Sequence, residues 1–276
     1  MPQIVYLNHQ FLNINQAQLD TRDRGFLLGD GLFETLRADN RKFIFFKEHY
    51  QRLHHSAAIL KIPFVYSEME LLDSCEQLLK KNNCTETAAL RITLSRGTSE
   101  RGIDLPAQSQ PTLLITATTY SQPTKPITAC ITNIIRNEHS VLSQLKTLNY
   151  LDNILARRYA KDRGFDEGIM LNTQNHIVET SVANLFFMID NTLITPPISE
   201  GVLPGIVRQH VLNHCAQHKI AYLEKIITVD DIKRATHAFQ TNSLIGLQAI
   251  EKIYLNNHET VALSTKPPLI NVPLYS

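Results

Sequence analysis

The sequence predicts an α+β protein of two domains, on three observations. Its 276 residues exceed what one compact core usually holds. Segments with strand alternation and segments with helical i, i+4, i+7 spacing follow one another along the chain. A polar stretch with two prolines, Tyr120-Ser121-Gln122-Pro123-Thr124-Lys125-Pro126, interrupts that succession. Each proline keeps the residue before it extended, so the stretch reads as linker. The expected division is an N-terminal α/β domain over residues 1–119, a linker over 120–126, and a larger C-terminal domain over 127–276.

In the first domain, residues 42–46 read as a buried strand because they are aromatic and β-branched. Leu53, Ala57 and Leu60 then mark a helix that Pro63 ends. Residues 69–79 read as a second helix, and 88–94 and 112–119 as strands. Beyond the linker, 127–135 reads as a strand and 149–161 as a helix. Residues 168–171, 177–180 and 184–189 read as strands joined by turns. A helix over 206–218 follows, and 238–242 end a further strand. Only ten glycines occur, so Gly29-Asp30-Gly31 and Gly97-Thr98-Ser99-Glu100-Arg101-Gly102 stand out as places where the backbone needs glycine's freedom. The tail over 265–276 carries three prolines and no assigned role.

Composition narrows the partners. A net charge of +1 gives no broad positive field for nucleic acid or an acidic membrane. An apolar fraction of 43% with 19% charged residues is ordinary globular usage, which leaves small molecules or a second copy of the chain. Cys75, Cys84, Cys130 and Cys215 form neither a CxxC pair nor metal-ligand spacing, so a reduced, cytoplasmic protein is expected. The run Met1-Pro2-Gln3-Ile4-Val5 lacks the pattern of a signal peptide. The longest apolar run, Leu185-Phe186-Phe187-Met188-Ile189, is too short to span a bilayer.

Several residues could carry chemistry. Lys146 lies among Leu142, Leu145, Leu148 and Leu151, a frame that would desolvate its ammonium and favour the neutral amine. Neutral amines form Schiff bases with aldehydes. Local context alone favours a blander reading, a lysine that snorkels from a helix edge to water. Glu179, after a turn at Asn172-Thr173-Gln174-Asn175, could hold a pyridine nitrogen protonated; alone it fits a strand glutamate facing solvent. Pro204-Gly205-Ile206-Val207 opens a helix whose first amides can receive a phosphate, and Arg52 could add a charge-assisted fork. Thr241-Asn242-Ser243 offers hydroxyl, amide and backbone donors, or a polar loop. His210, His214 and His218 recur at i, i+4, i+8 beside Cys215, but no HExxH or following acid completes a metal pattern. They read as the edge of an amphipathic helix, and no metal is expected.

The order of these segments resembles the class IV aminotransferase family, the fold-type IV pyridoxal 5'-phosphate (PLP) enzymes. The matching blocks are Arg24-Gly25-Phe26-Leu27-Leu28-Gly29-Asp30-Gly31-Leu32-Phe33-Glu34-Thr35-Leu36-Arg37, His49-Tyr50-Gln51-Arg52-Leu53 and Leu145-Lys146-Thr147-Leu148-Asn149-Tyr150-Leu151. Val178-Glu179-Thr180-Ser181-Val182-Ala183-Asn184-Leu185-Phe186 and Leu203-Pro204-Gly205-Ile206-Val207-Arg208 continue the series. The resemblance covers nearly the whole chain. It implies a C-terminal domain with a β-barrel-like core, PLP as cofactor, and a homodimer whose second subunit completes a site between the domains. It also implies roles. Lys146 carries PLP as a Schiff base and moves protons once substrate releases it. Glu179 pairs with the pyridine nitrogen. Arg52, the amides of Ile206 and Val207, and Asn242 with Ser243 bind the phosphate. Leu203 packs on the ring, and Tyr150 approaches the ring hydroxyl.

Three subgroups share this pattern: aminodeoxychorismate lyases, D-amino acid transaminases and branched-chain transaminases. Branched-chain enzymes typically show Phe-Glu-Gly where this chain has Phe33-Glu34-Thr35. D-amino acid transaminases have a tyrosine and a valine in place of Phe33 and Thr35. The threonine resembles the lyases, where it suits a hydrogen bond to substrate or a proton relay. D-amino acid transaminases also grip a carboxylate with Arg-x-His, whereas this chain reads Arg101-Gly102-Ile103. Ile103 cannot donate, and losing one donor to a carboxylate costs ~1.5–3 kcal/mol. The resemblance therefore implies a lyase giving 4-aminobenzoate and pyruvate, with a class IV transaminase as the alternative.

Overall fold

The computed structural model describes residues 3–255, 259–266 and 272–274. Residues 1–2 of the N-terminal run, and 267–271 and 275–276 of the tail, lie outside the described residues. The backbone divides between two units, one of Met1–Ser121 with Lys146–Asn149, the other of Gln122–Leu145 with Tyr150–Ser276. The changeover at residues 121/122 lies within the proline-containing stretch. The return of Lys146–Asn149 to the first unit departs from the expected division, because edge pairing with a distant strand leaves no mark in local periodicity.

The first unit contains β1 (Ile4–Leu7), β2 (Gln10–Asn13), α1 (Arg24–Leu28), β3 (Gly31–Asp39), β4 (Lys42–Phe43), α2 (Phe46–Ile59), α3 (Glu68–Lys81), β5 (Thr87–Ser95) and β6 (Thr112–Thr119). Its strands form an antiparallel sheet in the order β2-β1-β6-β5-β3-β4. The pleat sends alternate side chains to opposite faces. Leu36, Leu90 and Ala117 lie in register on one face, as do Glu34, Ile92 and Ile115; α2 packs on β3, and α3 on β1 and β6. Phe33, Thr35 and Arg37 take the other face of β3, with Arg91 opposite Thr35. A reciprocal capping box of Ser67 and Glu70 starts α3.

Residues 42–46 do not form one strand. Asn40 and Arg41 both adopt positive φ, making a two-residue hairpin loop, and only Lys42 and Phe43 pair with β3. Phe45 turns left-handed (φ 56°) and α2 begins at Phe46. Aromatic strand propensity yields here to the turn that launches the helix.

The second unit contains β7 (Ile127–Arg136), α4 (Leu151–Lys161), β8 (Glu167–Asn172), β9 (Ile177–Thr180), β10 (Asn184–Ile189), β11 (Thr192–Thr195), α5 (Ile206–Gln217), β12 (Tyr222–Glu224), α6 (Val229–Ile232), β13 (Ala235–Asn242), β14 (Gly246–Tyr254) and β15 (Thr260–Ala262). The strands run β12-β11-β10-β13-β14-β7-β8-β9, and β9 pairs back onto β10. Six strands thus close into a barrel, and the closing pair is Glu179 with Asn184. Ala129, Ile131, Ile169, Ile177, Leu185, Phe187, Ile250 and Ile253 belong to its core cluster. Burial on both faces explains why β8, β9 and β10 read as short apolar runs. The chain is therefore an α+β protein whose second unit has a β-barrel core, as its sequence predicts.

Candidate active site

In the first unit, β4 pairs only with the far end of β3 and leaves the edge at Gly31–Phe33 open. A distant segment occupies that edge. Phe33 N–H donates to Lys146 O and Leu148 N–H to Gly31 O, each at 2.9 Å, with Leu32 and Thr147 bridged between them. The register sets Lys146 opposite Phe33, and its Nζ lies 4.2 Å from the centre of the Phe33 ring. The Arg91 guanidinium carbon lies 3.7 Å from the same centre. The negative face of an aromatic ring attracts both cations. Thr35, the second predicted catalytic residue, follows on the same face of β3 with Arg91 as its cross-strand partner. The leucine frame expected around Lys146 is not a cage: Leu145 is buried, but Leu142 and Leu151 are exposed. The surroundings that define Lys146 are Phe33 and the edge of β3.

On the covered face of that sheet, Glu34 meets α2. Arg52 forks onto it, Nε to Oε1 at 2.8 Å and a terminal nitrogen to Oε2 at 2.7 Å. His49 Nδ1 approaches Oε2 at 2.7 Å. Glu34 and His49 are each 1% exposed. Burial opposes ionisation of Glu34, but the Arg52 charge and fork with the His49 hydrogen bond outweigh it and hold the carboxyl at about 2. Burial pushes His49 below its ordinary value, only partly countered by Glu34. A neutral imidazole beside a carboxylate carries its proton on Nδ1, which leaves Nε2 as an acceptor. His49 Nε2 has no protein partner among the described residues. Arg52, predicted at the phosphate, thus directs two of its nitrogens into Glu34.

The second unit gathers the other predicted residues around Asn184. Its Nδ2 donates to Glu179 Oε2 at 3.1 Å and to Leu203 O at 2.9 Å. Leu203 N–H donates to Glu179 Oε2 at 3.2 Å, and Arg136 to Oε1 at 3.1 Å. Arg136 also reaches Asn153 Oδ1, and Asn153 donates to Ser181 O. Thr241 is the cross-strand partner of Asn184. Gly205 is so near that a β-carbon there would fall 1.9 Å from Asn184 Oδ1. Gly205 caps α5 without a side-chain hydrogen bond, so the amides of Ile206 and Val207 lack intrahelical acceptors. The buried Thr241 hydroxyl likewise has no partner among the described residues. Unsatisfied donors and the positive end of a helix dipole suit an anion. Asn242 Oδ1 accepts from the Leu244 and Ile245 amides and its Nδ2 donates to Val182 O, so the side chain builds the turn that carries Ser243. Tyr150 is half-buried at the N-cap of α4.

Arg101 is exposed and Ile103 is 83% exposed, on a loop between β5 and β6. The rings of His214 and His218 stack 4.0 Å apart, and no group of three or more potential ligands could hold a metal among the described residues. The four cysteines are buried and unpaired. Sequence reasoning assigned no role to Glu34, His49, Arg136 or Asn184. Glu34 and Asn184 lay inside the matching blocks, and His49 with Arg52 at i, i+3 marked one helix face. Arg136, at a strand end, carried no signal.

Comparison with known proteins gives this arrangement its family. The sequence profile described as amino-transferase class IV matches residues 31–253. The chain belongs to the class IV aminotransferase family. A provisionally named branched-chain-amino-acid aminotransferase from Methanocaldococcus jannaschii is 30% identical over 272 residues, covering 95% of this chain and 93% of that protein. D-alanine aminotransferase from Staphylococcus aureus strain N315 is 27% identical, covering 90% and 88%. Among solved structures, a provisionally named 4-amino-4-deoxychorismate lyase from Legionella pneumophila is 34% identical with a TM-score of 0.84, covering 92% of each chain. A branched-chain aminotransferase from Thermoproteus uzoniensis is 25% identical with a TM-score of 0.88, covering 96% of this chain and 90% of that one.

PLP is the cofactor that goes with the class IV aminotransferase family. The residues present fit it. Lys146 offers an amine, Glu179 a buried carboxylate, and the unpartnered Thr241 hydroxyl beside the α5 N-terminus offers donors for a phosphate.

Proposed function

We propose that this chain is a PLP-dependent 4-amino-4-deoxychorismate lyase, forming 4-aminobenzoate and pyruvate for folate biosynthesis. The observation that carries the reading is Thr35 on the same face of β3 as Phe33, whose ring lies under Lys146 Nζ. A hydroxyl there can protonate an oxygen leaving as Lys146 removes a proton. The 34% identity to the Legionella protein supports the same reading.

When bound, the cofactor supplies a sink for the electron pair left at the substrate's amine-bearing carbon. Lys146 Nζ takes the proton from that carbon. The bond to the enolpyruvyl oxygen breaks, Thr35 Oγ1 passes its proton to the departing oxygen and takes one back from the Lys146 ammonium, the released enol becomes pyruvate, and the ring left behind is aromatic. Aromatisation supplies driving force, so the residues chiefly orient proton transfer. Glu179 keeps a proton at the pyridine nitrogen, and Arg136, Asn184 and Leu203 N–H hold that carboxylate in place. Arg52, the amides of Ile206 and Val207, and Asn242 with Ser243 would hold the phosphate, with Thr241 as a further donor. Leu203 packs on the ring. Phe33 and Arg101 contact substrate. The working form is a cytoplasmic homodimer; among the described residues no helix is long and apolar enough to cross a membrane.

A class IV transaminase is the second reading, favoured by the names of the Methanocaldococcus and Staphylococcus relatives. A substrate panel separates the two. The lyase reading expects 4-aminobenzoate from aminodeoxychorismate; turnover of only D-alanine or leucine with 2-oxoglutarate would replace it with the transaminase. Borohydride should fix the cofactor to Lys146, and a protein that PLP cannot reconstitute would sink both.

A further inference from the structure

The loop that carries Arg101 and Ile103 is fastened from beneath by a buried guanidinium. Arg24 is 4% exposed. One of its terminal nitrogens donates to Ser99 Oγ, Gly102 O and Asp104 O, and the other to Ile103 O, all at 3.1 Å. Its Nε is fixed by Asp30 Oδ2 at 2.8 Å. Asp30 is gripped from the other side by Arg96, at 2.8 and 3.0 Å, and Arg96 also donates to Leu60 O and Lys61 O after α2. Burial works against an ionised Asp30, but the two arginines outweigh it and lower its pKa. Gly102 takes φ +126°, a backbone conformation that side-chain-bearing residues rarely adopt.

This wiring turns the loop inside out. A connecting loop ordinarily leaves its carbonyls to water. Here three successive carbonyls, from 102 to 104, point inward to one guanidinium, so the intervening side chains must point outward. Arg101 and Ile103 are among those presented, a cation and an 83% exposed isoleucine, with Glu100, Asp104 and Leu105 exposed on the same loop. Exposing a large apolar side chain on a fastened backbone suits a ligand with an apolar face next to a carboxylate. Preorganisation of that kind lowers the cost of binding rather than the barrier of the chemical step.

We propose that Arg24 is a positioning residue for substrate recognition: through Asp30 and Arg96 it holds residues 99–104 in the one conformation that presents Arg101 to a carboxylate and Ile103 to the adjoining apolar surface. The proposal rests on the lyase reading for the identity of that substrate. Arg24→Lys keeps the charge beside Asp30 but loses the planar spread of donors. In the PLP-loaded enzyme it should raise KM for aminodeoxychorismate about tenfold, the effect of losing roughly one hydrogen bond to a charged group, with kcat changed less than about twofold and the cofactor absorbance unchanged. Trypsin should nick the chain after Arg101 several-fold faster, giving fragments 1–101 and 102–276 by mass.

Gly102→Ala provides a second route, because it disturbs the loop's backbone without touching the arginines and meets no atom within 4 Å. It should give the same KM-against-kcat split even where the Arg24 variant folds poorly. An active wild type whose variants keep both its KM and its rate of nicking overturns the proposal. A wild type inactive on aminodeoxychorismate, with a protected loop that either variant exposes, overturns the lyase reading while the fastening by Arg24 stands.

Discussion

The two units handle buried polar groups in opposite ways. In the first, Glu34, His49 and Arg52 answer one another, and the carboxyl is held at about 2 by its neighbours. In the second, Glu179 is also well partnered, but the donors beside it are not: the Thr241 hydroxyl has no partner among the described residues and the first amides of α5 lack intrahelical acceptors. The partners of Glu34 satisfy both of its oxygens and stabilise the fold, and in this set it is His49 Nε2 that is left without a partner among the described residues. Leftover donors at one place cost stability and mark where an anion is received. On the proposed function, the same residue type, a buried glutamate, serves as scaffold in one unit and faces chemistry in the other.

Replacing each glutamate tests that contrast. Glu179→Gln should lower kcat by about 10²–10³-fold, the usual loss when a preorganised electrostatic group is removed, while PLP still binds; because it also takes the carboxylate from Arg136, whose side chain is 15% exposed, the unfolding midpoint should fall as well. An active Glu179→Gln enzyme would remove its assigned role. Glu34→Gln should act on stability with a far smaller loss of kcat. It takes the charged partner from the Arg52 guanidinium, whose side chain is 13% exposed, and breaking a buried pair in this way costs about 3–5 kcal/mol. Denaturant titration should show a large fall in the unfolding midpoint; a small one would mean that Glu34 is not the scaffold its partners suggest.

Acid should unfold the first unit in two stages. His49 has a folded pKa below its ordinary 6.5, so the unfolded chain binds its proton first. Stability from His49 is whole above 6.5 and falls as pH drops through the lowered value. Glu34 follows: its contribution is whole above about 4.5 and is lost as pH falls towards about 2. In His49→Asn the first stage should vanish and the second remain. Melting curves against pH read this directly, and an unchanged slope between pH 6.5 and 4.5 would assign the upper stage elsewhere.

Much of this was legible in the sequence, for definable reasons. Short apolar runs announced the barrel strands at Ile177 and Asn184, and the order of blocks pointed to Lys146, Glu179 and Gly205. What stayed hidden depends on partners far apart in sequence. Lys146 lies on the edge of β3, more than a hundred residues away, so its local leucines were a poor guide. Glu34 takes two of Arg52's nitrogens in a three-dimensional competition that no motif records. Asn184 is the hub of the second unit because barrel closure sets it opposite Glu179, and closure is a property of the whole sheet.

The smallest expected effect separates the two behaviours most cleanly. Thr241→Val keeps the shape of the side chain and removes a buried hydroxyl that has no partner among the described residues. Burying an unsatisfied hydroxyl is costly, so the cofactor-free protein should be as stable as before or more so, by about 1 kcal/mol. PLP binding should weaken, by roughly tenfold for one charge-assisted hydrogen bond, whereas pyridoxal without its phosphate should bind equally to both forms. Opposite signs in stability and affinity are what a donor kept for a ligand requires. A loss of stability with unchanged PLP affinity would instead make Thr241 a packing residue and move the phosphate away from the α5 N-terminus.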